Sequence, residues 1–316
     1  MTLREIYELA VLMGMEADPR SKEYIKNILD KTRQRFEESK PEDRFEFDKD
    51  KLINPYDDTR LLYEGTKKDL DRVMVGIDIE PGEVVIAKIL NNIDAIISHH
   101  PLGSGLANLD GVMHLQADVL ADYGVPINIA EGLLEKRISE VARGVNAINH
   151  YQTVDAAKLL DIPIMCVHTP ADNLVYQFVR EKIEKENPQT VEELIQLLKK
   201  IPEYHEATRL GFGPKIFAGS LHRRCGKIAV TEMTGGTEGS KEIYEKMAQA
   251  GIGTIVGMHL SEQYKKEAEK NHINVIIAGH VSSDSLGMNL FLDELEKEKI
   301  SIVPCSGLIR VSRIEH

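Results

Sequence analysis

Two adjacent histidines, His99 and His100, are the residues whose types and spacing point most clearly to chemistry. They follow the apolar segment Ile96–Ser98, which is typical of a buried strand, and Pro101 comes next. Neighbouring side chains on an extended chain point to opposite sides, so both imidazoles reach one metal ion only if the turn reorients them. The alternative is that they bind two different ions.

Two further strand-like segments end in a histidine that an aspartate follows. The segment Pro163–Val167 precedes His168, with Asp172 beyond it, and a second segment leads through a glycine into His280, four residues before Asp284. We expect one of the two serines before Asp284 to begin a helix. Asp284 would then lie in the first turn, where backbone N–H groups favour a carboxylate.

The elements that must position these side chains follow an α/β pattern. From about residue 60, short β-branched segments alternate with helical ones. We expect strands at Arg72–Ile79, Asp94–Ser98, Pro163–Val167, Lys227–Thr231, Thr254–Gly257, Asn274–Ala278 and Ile300–Pro304. Ligands bind outside the carboxyl ends of the strands in open α/β sheets. The histidines and aspartates are therefore expected in one cleft.

The domain organisation expected from this pattern has three parts. Residues 1–50 form an N-terminal helical extension that ends in a charged, solvated stretch. Residues 51–188 form a first α/β half with the His-His-Pro motif. Residues 189–316 form a helical middle and a second α/β half with the Gly-His-x-x-x-Asp motif.

The donor set predicts a metal site without thiolates. The three cysteines are far apart and form no C-x-x-C pair, so a zinc–thiolate site and a disulfide framework are both disfavoured. Imidazole and carboxylate suit Zn, Mn, Fe, Co or Ni, and five such groups are too many for one tetrahedral ion. We therefore expect two divalent ions. The alternative for any single histidine is an ordinary hydrogen-bonded residue.

Other polar residues lie beside expected strand ends and give weaker signals. Glu232 and His259 each follow a strand and can line the same cleft. The glycine-rich stretch Thr234–Lys241 can in principle bind phosphate, but it matches neither the P-loop nor the dinucleotide-binding spacing, which favours a plain strand-to-helix turn. No catalytic nucleophile is recognisable, so the catalytic residue stays unassigned.

Composition excludes several classes of protein. The 316 residues include 51 acidic and 39 basic side chains, a formal net charge of −12, which repels nucleic acid and anionic membrane surfaces. No segment approaches the ~20 apolar residues that a membrane helix needs, and the first residues lack a secretory signal. We expect a cytoplasmic protein that acts on a small molecule, without nucleic-acid or membrane partners.

Three motifs, taken in order, resemble the Nif-three-like family, whose members are often described as GTP cyclohydrolase I type 2 homologues. They are Ile97–Leu102, Val167–Asp172 and Ala278–Asp284. The resemblance covers residue 52 to the C-terminus. It implies two related α/β halves with a dinuclear metal site in the cleft between them, and a homo-oligomer, typically a hexameric ring.

The resemblance also implies a set of ligands in this chain. The residues that match the metal-binding positions are His99, His100, Asp172, His280 and Asp284. His168 would be a neighbour rather than a ligand. Together with His259 and Glu232, which are candidates from their positions after strands, it would surround the ions or the substrate. The family commonly has glutamate where this chain has Asp284. The N-terminal extension is longer than usual, and we expect its removal to leave metal binding intact.

Two functional hypotheses follow. The first is a metal-dependent hydrolase acting on a nucleotide-like, phosphoester or cyclic amide substrate, with GTP cyclohydrolase type 2-like chemistry implied by the resemblance. The second is a non-catalytic protein that stores, delivers or senses metal through protein partners. Hydrolysis that depends on added Mn or Zn distinguishes them.

Overall fold

The alternating segments beyond residue 60 form two mixed β-sheets covered by helices. The computed structural model describes residues 1–314. The strands in this part of the chain are β1 Arg60–Tyr63, β2 Arg72–Gly76, β3 Ala95–Ser98, β4 Ile164–Cys166, β5 Lys215–Ala218, β6 Lys227–Val230, β7 Ile252–Gly257, β8 Asn274–Ile277 and β9 Ser301–Cys305.

Six of the thirteen described α-helices begin with a side-chain cap or with a proline in the first turn. The α-helices of the described chain are α1 Leu3–Glu16, α2 Lys22–Glu38, α3 Pro81–Leu90, α4 Gly103–Ala107, α5 Leu115–Asp122, α6 Ile127–Asn146, α7 Gln152–Leu160, α8 Thr169–Glu186, α9 Val191–Leu198, α10 Pro202–Arg209, α11 Ile243–Gln249, α12 Glu262–Lys270 and α13 His280–Lys297. Thr190 and Glu193 form the capping box of α9 that their spacing indicates. The expected α/β class with a helical N-terminal segment is confirmed.

The two sheets share a plan. The first has the order β1-β4-β3-β2-β9 and the second the order β5-β8-β7-β6. In each sheet the interior pairs are parallel, and one edge strand, β1 or β5, runs antiparallel to its neighbour. The carboxyl ends of β3 and β4 are adjacent, because Ser98 pairs with Cys166. This adjacency brings the segments that follow them together.

Strands β1 and β5 were not expected from the sequence. Each has only four residues, and two of the four positions of β5 are exposed, so it forms no buried apolar run. A short antiparallel edge strand needs few buried side chains, since it shares only one neighbour. Apolar patterning therefore does not reveal it.

The last strand does not lie in the expected second α/β half. Strand β9 pairs in parallel with β2, so it belongs to the first sheet. The helix before it, α13, packs along α8 of the first half, and Phe291, Leu292 and Leu295 lie in the core of that half. Residues 189–316 therefore do not form a separate unit.

Helix α1 also differs from the expected extension. Ile6, Tyr7 and Ala10 are fully buried in the core beneath the first sheet. Helix α2 is different, because Ile25 is its only fully buried residue in the described structure. The first helix is thus an integral part of the first half, whereas the second lies largely on its surface.

Among residues 1–314, no helix is both long and apolar enough to cross a membrane.

Candidate metal centre

The candidate metal centre lies at the carboxyl ends of strands from both sheets. His99 and His100 follow β3, His168 follows β4, and His280 follows β8. In an open α/β sheet these ends are where the chain can present side chains to a ligand. The expectation of a single cleft lined by these histidines agrees with the structure.

The two aspartates reach the cleft from matching helices. His168 immediately precedes α8, and His280 is the first residue of α13. Asp172 and Asp284 each lie four residues after their histidine, so each shares a helix face with it. The helix was expected to begin at a serine, which is wrong: Gly279, with φ of 109°, permits the turn that begins it at His280.

Close packing of the two helices fixes the separation of the aspartates. A Cβ at Gly287 of α13 would lie 2.2 Å from the carbonyl oxygen of Ala171, the residue before Asp172. Only glycine allows this approach of the backbones. The position of Asp284 relative to Asp172 therefore depends on this contact.

One group of potential ligand atoms is completely enclosed. His99 Nε2 lies 3.5 Å from Asp172 Oδ1 and 3.5 Å from Asp284 Oδ1. These side chains are at most 4% exposed. Their three ligand atoms lie within 4.8 Å of one another, a spacing that can hold a metal ion. We call this group the inner position.

A second group shares Asp284 and opens to solvent. Oδ2 of Asp284 lies 3.5 Å from His100 Nε2 and 3.4 Å from His280 Nε2. The His100 and His280 side chains are 27% and 40% exposed. We call this group the outer position. Since the two oxygens of Asp284 face different groups, the adjacent histidines of the His-His-Pro motif serve different positions.

His168 lies closer to the centre than expected. Its ring centroid is 5.0 Å from that of His99 and 5.9 Å from that of His100, and the three imidazoles form a third group of potential ligand atoms. Its Nε2 lies 3.7 Å from Asp172 Oδ2. The geometry therefore adds His168 to the five residues that the motifs indicate.

Three of the imidazoles are oriented by acceptors at Nδ1. His99 Nδ1 donates to the carbonyl oxygen of Val167 at 3.0 Å, and His100 Nδ1 donates to Asp78 at 2.6 Å. His168 Nδ1 donates to Asp58 at 2.7 Å. A carbonyl or carboxylate oxygen only accepts, so the proton is on Nδ1. Nε2 then faces the centre as a potential ligand, an arrangement common in metal sites.

Buried polar atoms without a hydrogen-bond partner are concentrated at the candidate metal centre. Seven buried side-chain nitrogen or oxygen atoms in the described chain have no hydrogen-bond partner, and four of them are His99 Nε2, Asp172 Oδ1 and both carboxylate oxygens of Asp284. Buried polar atoms are rarely left unpaired. Their convergence fits metal coordination, which would pair Asp284 Oδ2 at the outer position and the other three atoms at the inner one. These buried groups could hold a metal ion.

The electrostatics favour the same interpretation. Burial raises the pKa of Asp172 to about 8 and lowers the pKa of His99 to about 4. Burial alone would also raise the pKa of Asp284, but the surrounding imidazoles hold it well below its ordinary value. Burial lowers the pKa of His168, but Asp172 and Asp58 together raise it to about 9. In the absence of metal, protons must neutralise carboxylates that a cation would otherwise pair.

Of the two other residues expected near the site, the structure places one beside it and the other away from it. The His259 ring lies against the His280 ring, with centroids 4.4 Å apart, so it borders the outer position. Glu232 instead accepts a hydrogen bond from the Gly239 N–H and lines a small cavity with Gln116. It belongs to none of the ligand groups found among residues 1–314. The stretch Thr234–Lys241 is the expected turn between β6 and α11.

Sequence reasoning did not single out Asp58 and Asp78 as parts of the site. Asp78 lies just after β2, where its carboxylate faces His100 across the sheet edge. Asp58 precedes β1, the edge strand that patterning does not reveal. The doublet Asp57-Asp58 ahead of an apolar run is the only signal for it, and many surface turns share that signal.

The chain resembles known proteins in structure rather than in sequence profile. No profile of a known protein family matches the chain, and neither does any curated protein. A NIF3 superfamily protein from Sphaerobacter thermophilus matches in structure with a TM-score of 0.72 and 26% identity, over 90% of this chain and 98% of that one. The chain is Nif3-like. The resemblance seen in the three motifs is thereby confirmed.

A second solved structure shows the same fold at lower similarity. Reduced HcgD from Methanocaldococcus jannaschii matches with a TM-score of 0.50 and 17% identity, over 76% of this chain and 86% of that one. This chain thus shares its fold with most of that neighbour. The ligand roles of the individual residues remain predictions.

Proposed function

We propose that this Nif3-like protein is a dinuclear metal-dependent hydrolase with a small-molecule substrate. The observation that carries the proposal is the shared carboxylate of Asp284, whose two oxygens face two adjacent groups of ligand atoms. His99, Asp172 and Asp284 would hold one cation at the inner position. His100, His280 and Asp284 would hold the other at the outer position.

The donor set narrows the identity of the cations. Imidazole nitrogen and carboxylate oxygen without thiolate suit Zn, Mn, Fe, Co or Ni. His168 would add a further nitrogen near the inner position, where Asp172 also lies. When bound, two such cations activate water and stabilise the charge that develops on a displaced oxygen.

The difference in exposure assigns the two positions different roles. The inner position is closed by buried side chains, so its cation would have little contact with solvent. The outer position is bordered by the partly exposed His100 and His280, which leaves room for water and substrate. Hydrolysis requires water and substrate to reach a cation, and this opening would give them access, which supports the proposal.

The residues around the outer position would orient the substrate. His259 packs against His280 at the edge of this position, and Asp78 is exposed beside His100. Both can contact a molecule that enters the cleft. The substrate is a phosphoester, a nucleotide or a cyclic amide, whose oxygen atoms would face the cations rather than these side chains.

The proposal includes assembly into a homo-oligomer, a hexameric ring by resemblance. The surface of α3 supports it, because Val85, Ile86, Ile89 and Leu90 are 46–74% exposed. Contiguous exposed apolar side chains often mark a contact with another chain. Light scattering is expected to give a mass of six chains, and a monomeric mass would refute the ring.

The test of hydrolysis is a panel of nucleotides and phosphoesters assayed with added Mn or Zn. We expect turnover that requires the metal and is lost in a His280→Ala variant that remains folded. Metal binding without turnover of any substrate would favour the non-catalytic alternative. Turnover that persists in a chelator would refute metal dependence.

A further inference from the structure

A buried carboxylate, Asp58, lies beside the metal centre, in contact with His168. Its side chain is fully buried, and its Oδ2 accepts hydrogen bonds from His168 Nδ1 at 2.7 Å and from the Thr169 hydroxyl at 2.6 Å. It belongs to none of the ligand groups in the described chain. Asp58 therefore touches the centre through His168 alone.

The segment that carries Asp58 is held at both ends. The His168 N–H donates to the Thr59 hydroxyl at 3.0 Å, which fixes the backbone of the two segments side by side. The buried guanidinium of Arg60 donates to the carbonyl oxygens of Tyr56 and Thr59. Asp58 thus cannot move away from His168 without breaking these contacts.

Helix α1 takes part in the same arrangement. The Asn54 amide donates to the Tyr7 hydroxyl at 2.8 Å and to the Thr59 carbonyl oxygen at 2.9 Å. Tyr7 is fully buried in the core of the first half. A contact chain therefore runs from the N-terminal helix through residues 54–60 to the ring of His168.

We propose that Asp58 is a positioning residue of the metal centre, which holds His168 as the Nδ1–H tautomer with Nε2 directed at the inner position. The inference rests on the proposed metal centre and deepens it by assigning a role to the segment before β1. Carboxylate partners of ligating imidazoles orient the ring and raise its basicity, and their loss costs ~10–100-fold in metal affinity.

A purely structural role for Asp58 predicts something different. It would stabilise the fold through Thr169 and His168 without selecting a ring nitrogen. Replacement would then lower stability and leave the affinity for metal in the folded protein unchanged. The two roles are distinguished by measurements of the His168 tautomer and of metal affinity.

The first measurement is the ¹⁵N spectrum of the His168 ring in the full-length, metal-free protein. We expect the shift pattern of the Nδ1–H tautomer at a pH at which the ring is neutral. This measurement needs no variant, so it decides the point even if Asp58 variants fail to fold. An Nε2–H tautomer would overturn the inference, because Nε2 would then be blocked as a ligand.

The second measurement compares Zn²⁺ affinity in Asp58→Asn with that in a matched control, Asp57→Asn. The neighbouring Asp57 pairs with Lys51 and Arg60 rather than with a residue of the centre. We expect Asp58→Asn to bind Zn²⁺ ~10–100-fold more weakly and Asp57→Asn to bind it as wild type does. Circular dichroism restricts the comparison to folded protein.

The outcomes separate this inference from the proposed function. Equal affinities for the two variants, or equal losses, would overturn the role of Asp58 and leave the metal centre intact. Failure of the wild-type protein to bind Zn²⁺ would overturn both. Lack of hydrolytic turnover would contradict only the proposed function, because neither measurement depends on activity.

Discussion

Asp284 is the residue whose replacement should affect metal binding most. In Asp284→Asn the side chain keeps its shape but loses the charge that both positions share. A cation at the inner or outer position would lie ~2 Å from a carboxylate oxygen, the usual metal–oxygen distance. Even two unit charges 4 Å apart interact by about 4 kcal/mol at an effective dielectric constant of ~20. The loss corresponds to at least about a thousandfold in Kd for each cation.

The assay is titration with Zn²⁺ or Mn²⁺, followed by calorimetry and by elemental analysis of the dialysed protein. We expect Asp284→Asn and Asp284→Ala to lose at least one cation while remaining folded. Asp284→Glu keeps the charge and should retain both. A folded Asp284→Asn variant with unchanged stoichiometry and affinity would remove Asp284 from the centre and refute the reasoning.

Three further predictions concern packing, pH and the N-terminus. Gly287→Ala should destabilise the fold by ~1–3 kcal/mol, because its Cβ would meet the carbonyl oxygen of Ala171, whereas Gly132→Ala, with open space around it, should be neutral or stabilising in the same urea titration. Because folding raises the pKa of His168, the protonated ring stabilises the metal-free protein. This stabilisation is complete below about pH 6.5 and is lost as the pH rises to about 9. The free energy of unfolding measured in a chelator should therefore fall over that range, and a free energy that does not change with pH would contradict the raised pKa of His168. Removal of residues 1–50 should weaken Zn²⁺ binding or unfold the protein, since α1 is part of the core. A folded truncated protein with wild-type Zn²⁺ affinity would contradict this prediction and support the sequence-based expectation that the extension is not needed for metal binding.

The candidate site was largely predictable, because its geometry follows from local patterns. Strands that end in histidine place those residues at one sheet edge, and the four-residue spacing to Asp284 places the pair on one helix face. The exact start of α13 was not predictable in this way. Serine is the better capping residue by type, but the turn at Gly279 begins the helix earlier.

The features that sequence reasoning missed depend on contacts between distant segments. Strand β9 lies in the first sheet because it pairs with β2, more than 200 residues earlier in the chain. The apolar pattern of α1 shows that it buries one face, but not which core receives it. Asp58 acquires its role only when residues 54–60 lie beside His168. Local propensity and spacing contain no information on such pairings.

Crystals grown with Zn²⁺ and measured at the zinc absorption edge give the most direct answer about the dinuclear centre. We expect two anomalous peaks, one on each side of the Asp284 carboxylate. One should lie beside His99 and Asp172, and the other beside His100 and His280. A single peak would contradict the shared role of Asp284. The absence of any peak within reach of this carboxylate would contradict the metal centre itself.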